Sequence, residues 1–286
     1  MEAIDFESVG ILGRLTANKY TLQKILDDKF TKHYIPDFRI ASGGTTPCIE
    51  VVEREQEKKA ILDYPRGFLK PHIEHRSFVV TAEYLAERAR QEKLGLFALN
   101  SAAAERNGEG VLFYGEASNL GKSTFATTLS ENGFNQFSDE KTLLDLEHNL
   151  MVSGSRSIPL RKNVWKERFP NDGEYRELDT KEQAVSPKVS LIISPHYDHG
   201  LDKPIITALD PLDLFWGLLA AISKRIRGVT RFIDDFTFQL PSIDTEELSE
   251  KRIELMRKFS RAVKGFYFQG NHHQLVTFVK SALKLE

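Results

Sequence analysis

One cysteine, Cys48, stands in 286 residues. A lone thiol excludes a disulfide framework and a thiolate metal cluster, and it favours a reducing compartment. Surplus positive charge is also missing. With 39 Lys and Arg against 41 Asp and Glu, the formal net charge is −2, so the strongly basic stripe of a nucleic-acid binder is absent. The run "KRIR" at 224–227 reads more simply as a solvated helix face. Apolar stretches such as "LFWGLLAAI" (214–222) are too short and too flanked by charge to span a bilayer. The start, "MEAIDFESVGILGRL", lacks the basic and then apolar layout of a signal peptide. Internal repeats and low-complexity segments are likewise missing. These absences predict a cytoplasmic, soluble protein with no membrane and no nucleic-acid partner. The length suits one large domain or two of moderate size.

What is there alternates between helical and strand-like patterns. Residues 16–30 have helical spacing, whereas 48–55, 58–64 and 75–82 are β-branched and strand-like, and "ASGGTTP" (41–47) is turn-rich. A helix over 82–94 leads into a denser second half. There, "LFALNSAAAERNGEGVLFYG" (96–115) predicts two strands around a turn at "NGEG". Strands follow within 142–154, as a hairpin turning at "EHN", and at 189–196. Helices are expected over 211–228 and 245–263, then a strand at 265–270 and a closing helix over 271–285. The expected fold is α/β with a mixed sheet. The expected division is a small N-terminal α/β unit, 1–92, and a larger domain, 93–286.

The stretch with the most chemistry is "VLFYGEASNLGKSTFATTL", residues 111–129. It reads as an apolar strand, a loop and a helix opening on Gly-Lys-Ser-Thr. A phosphate-binding loop aims backbone N–H groups and the positive end of a helix at an anion. Its lysine reaches the β- and γ-phosphates, and the following hydroxyl binds Mg²⁺. Lys122 and Ser123 stand in those places. Ser118, Asn119, Leu120, Gly121, Lys122, Ser123 and Thr124 are the expected nucleotide-binding residues. The spacing departs from the usual one, because Gly115 and Gly121 enclose five residues rather than four.

A phosphate loop needs a carboxylate nearby to hold a metal or to accept a proton. Asp139 and Glu140, in "FSDEKTLLD" (137–145), lead into a strand shortly after the loop. The basic loop "SGSRSIPLRKNVWK" (153–166) carries Arg156, Arg161, Lys162 and Lys166, which could place positive charge on transferring phosphoryl oxygens. Arg161 is the chosen candidate. Elsewhere, His196, Asp198 and His199 in "PHYDHG" (195–200) could bind a metal but read more simply as a polar turn. His272 and His273 open a helix, and no Ser-His-Asp arrangement can be inferred.

In this order of elements, "GVLFYG" (110–115), "EASNLGKST" (116–124) and "FSDEKTLLD", the chain from about Leu94 onward resembles the HPr kinase/phosphorylase family and its kinase-like relatives. The resemblance implies a P-loop domain related in fold to phosphoenolpyruvate carboxykinase, with ATP and Mg²⁺ as cofactors. It implies that Lys122 binds the β- and γ-phosphates and that Ser123 ligates Mg²⁺. Asp139 takes the place of the base toward the acceptor hydroxyl, and Glu140 that of a second metal-associated carboxylate. Family members often assemble, so a homo-oligomer is compatible with the resemblance.

Three features set the chain apart from a true HPr kinase. "SNLG" replaces "SGxG" in the loop, although Asn tolerates positive φ better than most residues. Asn100 stands where those kinases carry a histidine, and their second glycine-rich signature is not found. The expected function is therefore an ATP- and Mg²⁺-dependent kinase acting on a serine or small-molecule hydroxyl. The alternatives are a nucleotide-binding regulatory protein with weak or lost catalysis, and a globular protein without a nucleotide site.

Overall fold

The computed structural model describes residues 1–42, 46–54, 61–71, 73–115, 120–159, 175–178, 186–233 and 236–285. The backbone divides into two compact units, 1–97 with 223–251, and 98–222 with 252–286. A single cut at residue 92 would leave 223–251 with the second unit, whereas the structure joins it to the first.

The chain opens with a hairpin of β1 (Glu2–Ser8) and β2 (Ile11–Ala17). Helices α1 (Lys19–Asp27) and α2 (Lys29–Tyr34) follow, capped by the side chains of Asn18 and Asp28. Next come β3 (Arg39–Ile40), β4 (Ile49–Glu53), β5 (Ile61–Asp63) and β6 (Arg66–Leu69). These six strands form one mixed sheet, ordered β3-β1-β2-β4-β6-β5. Alternation along β2, with every second residue buried, shows that one face meets a core.

That core is closed by α3 (His75–Leu94), buried without a break from Ser77 to Gln91. The strand expected over 75–82 is therefore the start of this helix. Phe78, Val79, Val80 and Thr81 are strand-like locally, but a helix covered on all sides needs no polar face and loses its 3.6-residue signature. Some of its buried polar groups pair with one another and with the strands. The fully buried Arg90 guanidinium donates to Glu83 at 2.6 Å and to Ser8 Oγ at 2.8 Å.

The second unit is built on a nine-stranded sheet. Its first strands are β7 (Leu96–Leu99), β8 (Ser101–Arg106) and β9 (Glu109–Tyr114). The single strand expected before "NGEG" is thus two, parted at Asn100, and β8 pairs antiparallel with β9. Helix α4 (Lys122–Ser130) precedes β10 (Asn135–Ser138), β11 (Thr142–Asp145) and β12 (Leu150–Gly154). The last two form the antiparallel hairpin that the sequence indicates. A small pair, β13 (Ser157–Pro159) and β14 (Tyr175–Glu177), stands apart.

The long β15 (Lys188–Tyr197) runs parallel to β9 and is followed by β16 (Ile205–Ala208) and α5 (Pro211–Ser223). A two-stranded ribbon, β17 (Val229–Ile233) and β18 (Phe236–Leu240), belongs to the first unit. Helix α6 (Glu246–Ala262), β19 (Lys264–Gly270) and α7 (His272–Leu283) complete the chain. β19 lies parallel to β15 and antiparallel to β16, so the sheet is mixed as expected. Among the described residues, no helix is long and apolar enough to cross a membrane.

Candidate functional site

Pairing directions fix which strand ends meet. β9, β15 and β19 are mutually parallel. β10 is antiparallel to β8, which is antiparallel to β9, so β10 runs with the parallel set. All four therefore deliver their carboxyl ends to one edge of the sheet. Along that edge stand Asp139 after β10, Gly115 after β9, Tyr197 at the end of β15 and Asn271 after β19. In open α/β sheets ligands bind outside the carboxyl ends of strands.

At the centre of this edge α4 begins. Gly121 is its N-cap, at φ +92°, a left-handed conformation that favours glycine. A Cβ there would meet Tyr197 Cβ at 2.9 Å. Among the described residues, no side chain caps the start of α4, unlike α1, α2 and α7, where Asn18, Asp28 and Asn271 accept from first-turn amides. Uncapped first-turn N–H groups and the helix dipole together favour an anion. Lys122 reaches back, its ammonium donating to the Gly115 carbonyl at 2.7 Å. The charge is thereby held at the mouth of the loop. Ser123 and Thr124 lie half-buried on the same first turn. Of the expected loop residues, Ser118 and Asn119 lie outside the described residues, as does Arg161 of the basic loop.

Asp139 is the other half of the site. Its backbone N–H donates to Ser155 O at 3.0 Å, and Lys141 N–H returns to Asp139 O at 2.7 Å across Glu140. Glu140 has φ +62°, so the acidic pair sits in the positive-φ form of a γ-turn, a rare and strained conformation. Strain of this kind concentrates at functional sites. The corner is pinned by buried hydroxyls, Thr142 Oγ1 meeting Ser101 Oγ at 2.7 Å and Ser138 Oγ at 2.6 Å. It also needs Gly154, where a Cβ would fall 2.4 Å from Ser138 Cβ and 2.5 Å from Lys141 O.

The Asp139 carboxylate is buried, and among the described residues neither oxygen has a hydrogen-bond partner within 3.5 Å. Burial pushes its pKa up to about 7. The facing Ser123 hydroxyl, the Glu140 amide and the Lys122 charge draw it down, without closing a hydrogen bond of normal length to it. The Glu140 charge pushes it further up. The structure thus brings Lys122, Ser123, Asp139 and Glu140 within electrostatic reach of one another.

A buried carboxylate with both oxygens unpartnered, beside a serine hydroxyl, fits a hard cation held by oxygen ligands. Mg²⁺ in particular is bound through one or two carboxylates and completes its shell from phosphates and water. Among the described residues, no group of three or more His, Cys, Asp or Glu side chains is placed to hold a metal. In the "PHYDHG" segment the side chains are engaged otherwise or open to solvent. Asp198 accepts from Gly200 N–H at 2.9 Å and from Gln269 Nε2 at 3.0 Å, while His196 and His199 are exposed.

Several site residues escaped the sequence. Lys141 is buried immediately after the acidic pair, and its place in "DEK" was the available signal. Among the described residues, the Ser155 hydroxyl is buried without a partner, and so is the amide oxygen of Asn100, the residue the sequence places where the kinases carry a histidine. Asn100 directly precedes Ser101, whose N–H donates to Glu140 O at 3.3 Å. The non-titrating residue at this position is therefore the chain neighbour of a residue bonded to the acidic corner. Tyr197 joins the site through its N–H, which donates to Leu120 O at 3.2 Å.

No family model matches the chain, and no curated protein matches it. Among solved structures it is similar to the HPr(Ser) kinase/phosphatase from Coxiella burnetii, at 19% identity over 58% of this chain and 97% of that one. The TM-score of that superposition is 0.22, and the two structures are only distantly similar.

Proposed function

We propose that this protein binds a nucleoside triphosphate at the start of α4 and transfers its terminal phosphoryl group to a hydroxyl, on a protein serine or a small molecule. The observation that carries the reading is the pairing of an uncapped Gly-Lys-Ser helix start with a buried, unpartnered carboxylate facing it. The first-turn amides of α4 and Lys122 hold phosphate oxygens. Ser123, Asp139 and Glu140 would hold Mg²⁺, which when bound neutralises charge on the β- and γ-phosphates. The acceptor oxygen attacks the terminal phosphorus, the bond to the bridging oxygen breaks, and the nucleoside diphosphate leaves. The acceptor's proton goes to Asp139. Arg161 and its basic neighbours are proposed to meet the transferred oxygens.

Thermal unfolding with and without millimolar Mg-ATP tests binding, since a ligand held only by the folded state raises its stability by about 2.7 kcal/mol at one hundred times Kd. The wild type should shift and Lys122→Ala should not. No shift in the wild type defeats the proposal. Transfer is tested by following labelled γ-phosphate into pooled metabolites and lysate protein, where Asp139→Asn should bind ATP yet transfer nothing. Clear binding with no transfer by the wild type would instead favour the regulatory alternative, with which the non-titrating Asn100 agrees.

A further inference from the structure

The opposite flank of the α4 start from Asp139 carries a feature that phosphate binding leaves unused. The Tyr197 and His272 rings lie with their planes 10° apart and their centroids separated by 6.0 Å. Tyr197 Oη and His272 Nδ1 are 3.3 Å apart. Phe125 of α4 supports Tyr197 at 5.7 Å, and His273 stands 4.7 Å from His272. Both Tyr197 and His272 are half-buried, so the pair is braced from within and still presents surface.

We infer that this Tyr197–His272 pair seats the flat heterocyclic base of the nucleotide whose phosphates lie at α4. The inference rests on the proposed nucleotide reading. Strand order gives it direction. Neighbouring strands are about 4.8 Å apart, so β10, which leads to Asp139, stands about 10 Å to one side of β9, with β15 and β19 at about 5 and 10 Å on the other. A triphosphate with its terminal group turned toward Asp139 must send its sugar and base toward β15 and β19. Those strands end in Tyr197 and, one cap residue later, His272. The platform is also registered against the loop. The Tyr197 N–H holds the Leu120 carbonyl at 3.2 Å, and its Cβ lies where a side chain at Gly121 would intrude. Stacking on such rings is tolerant of which base is present, because every base has a π-face.

The test compares Mg-ATP with Mg-tripolyphosphate, which has the phosphates and no base, by titration calorimetry on the full chain. Wild type should bind ATP at least about ten-fold more tightly than tripolyphosphate, the scale expected of one stacked base. His272→Ala should erase most of that ratio and leave tripolyphosphate affinity unchanged, and His272→Phe should keep it. Equal affinity for the two ligands in wild type overturns the ring seat while leaving phosphate binding intact. So does a His272→Ala variant that weakens both alike, or neither. If neither ligand binds wild type, the nucleotide reading itself fails and the ring seat with it.

Discussion

Replacing Asp139 with Asn should stabilise the ligand-free protein at pH 8 and change it little near pH 4. Burial raises the folded-state pKa from 3.8 to about 7. Between those values the folded chain holds a proton that the unfolded chain has released. Stability therefore falls as pH rises through this window, and the loss is complete above the folded value. At 1.36 kcal/mol per unit, a rise of about three units sets a ceiling of about 4 kcal/mol at pH 8, of which about 1.6 kcal/mol is already lost at pH 5. Asn, which does not ionise, avoids that loss. Urea unfolding of wild type and Asp139→Asn at pH 5 and pH 8, with EDTA to exclude cations, measures the difference. The gap should widen in favour of the variant by up to about 2–3 kcal/mol between the two pH values. Parallel pH dependence of the two proteins would refute the argument, because Asp139 would then ionise in the folded state at no cost. A residue whose removal strengthens the fold and abolishes transfer is the mark of a site held against its own stability.

Gly154→Ala should destabilise by about 1–3 kcal/mol and weaken Mg-ATP stabilisation as well. Its new methyl would press on Ser138 and on the Lys141 carbonyl, both part of the corner that presents Asp139; thermal unfolding with and without Mg-ATP reads both effects. Arg90→Met should cost the fold about 3–5 kcal/mol by leaving Glu83 and Glu87 buried without their cation. A lowered urea midpoint at neutral pH would show the loss.

The centre of the site was legible because its signals are local. A strand, a Gly-Lys-Ser turn and a helix are neighbours in sequence, and the acidic pair is contiguous. The hairpin of β11 and β12 was legible for the same reason, its turn residues lying between two apolar runs. What escaped depends on partners distant in the chain. The start of α3 looks like a strand because its burial on every side erases the helical stripe. Tyr197 was passed over inside a turn noted for its histidines, since only the parallel pairing of β15 with β9 sets it against Leu120. The strained turn at Glu140 is likewise set by Ser155, which no spacing rule links to the acidic pair. Residues 223–251 are separated from their unit by 125 residues of the other, a return that no local pattern announces.

That return has a consequence for the order in which the protein can be made. The first 97 residues leave the ribosome before three of the backbone groups that bond Tyr84 and Arg88 have been made. Pro241 O, which accepts from Tyr84 at 2.9 Å, Gly228 N–H, which donates to it at 2.8 Å, and Ile243 O, which accepts from Arg88, are translated well over a hundred residues later. The apolar core of the unit also awaits Ile226, Leu240, Ile243 and Leu248. The core of the first unit must therefore wait, incomplete, while most of the second unit is synthesised. The last residues of that unit, α7 with His272 among them, follow only after the first unit has received its missing segment. The two units are interleaved in time as they are in sequence, and neither is finished before the other is nearly so.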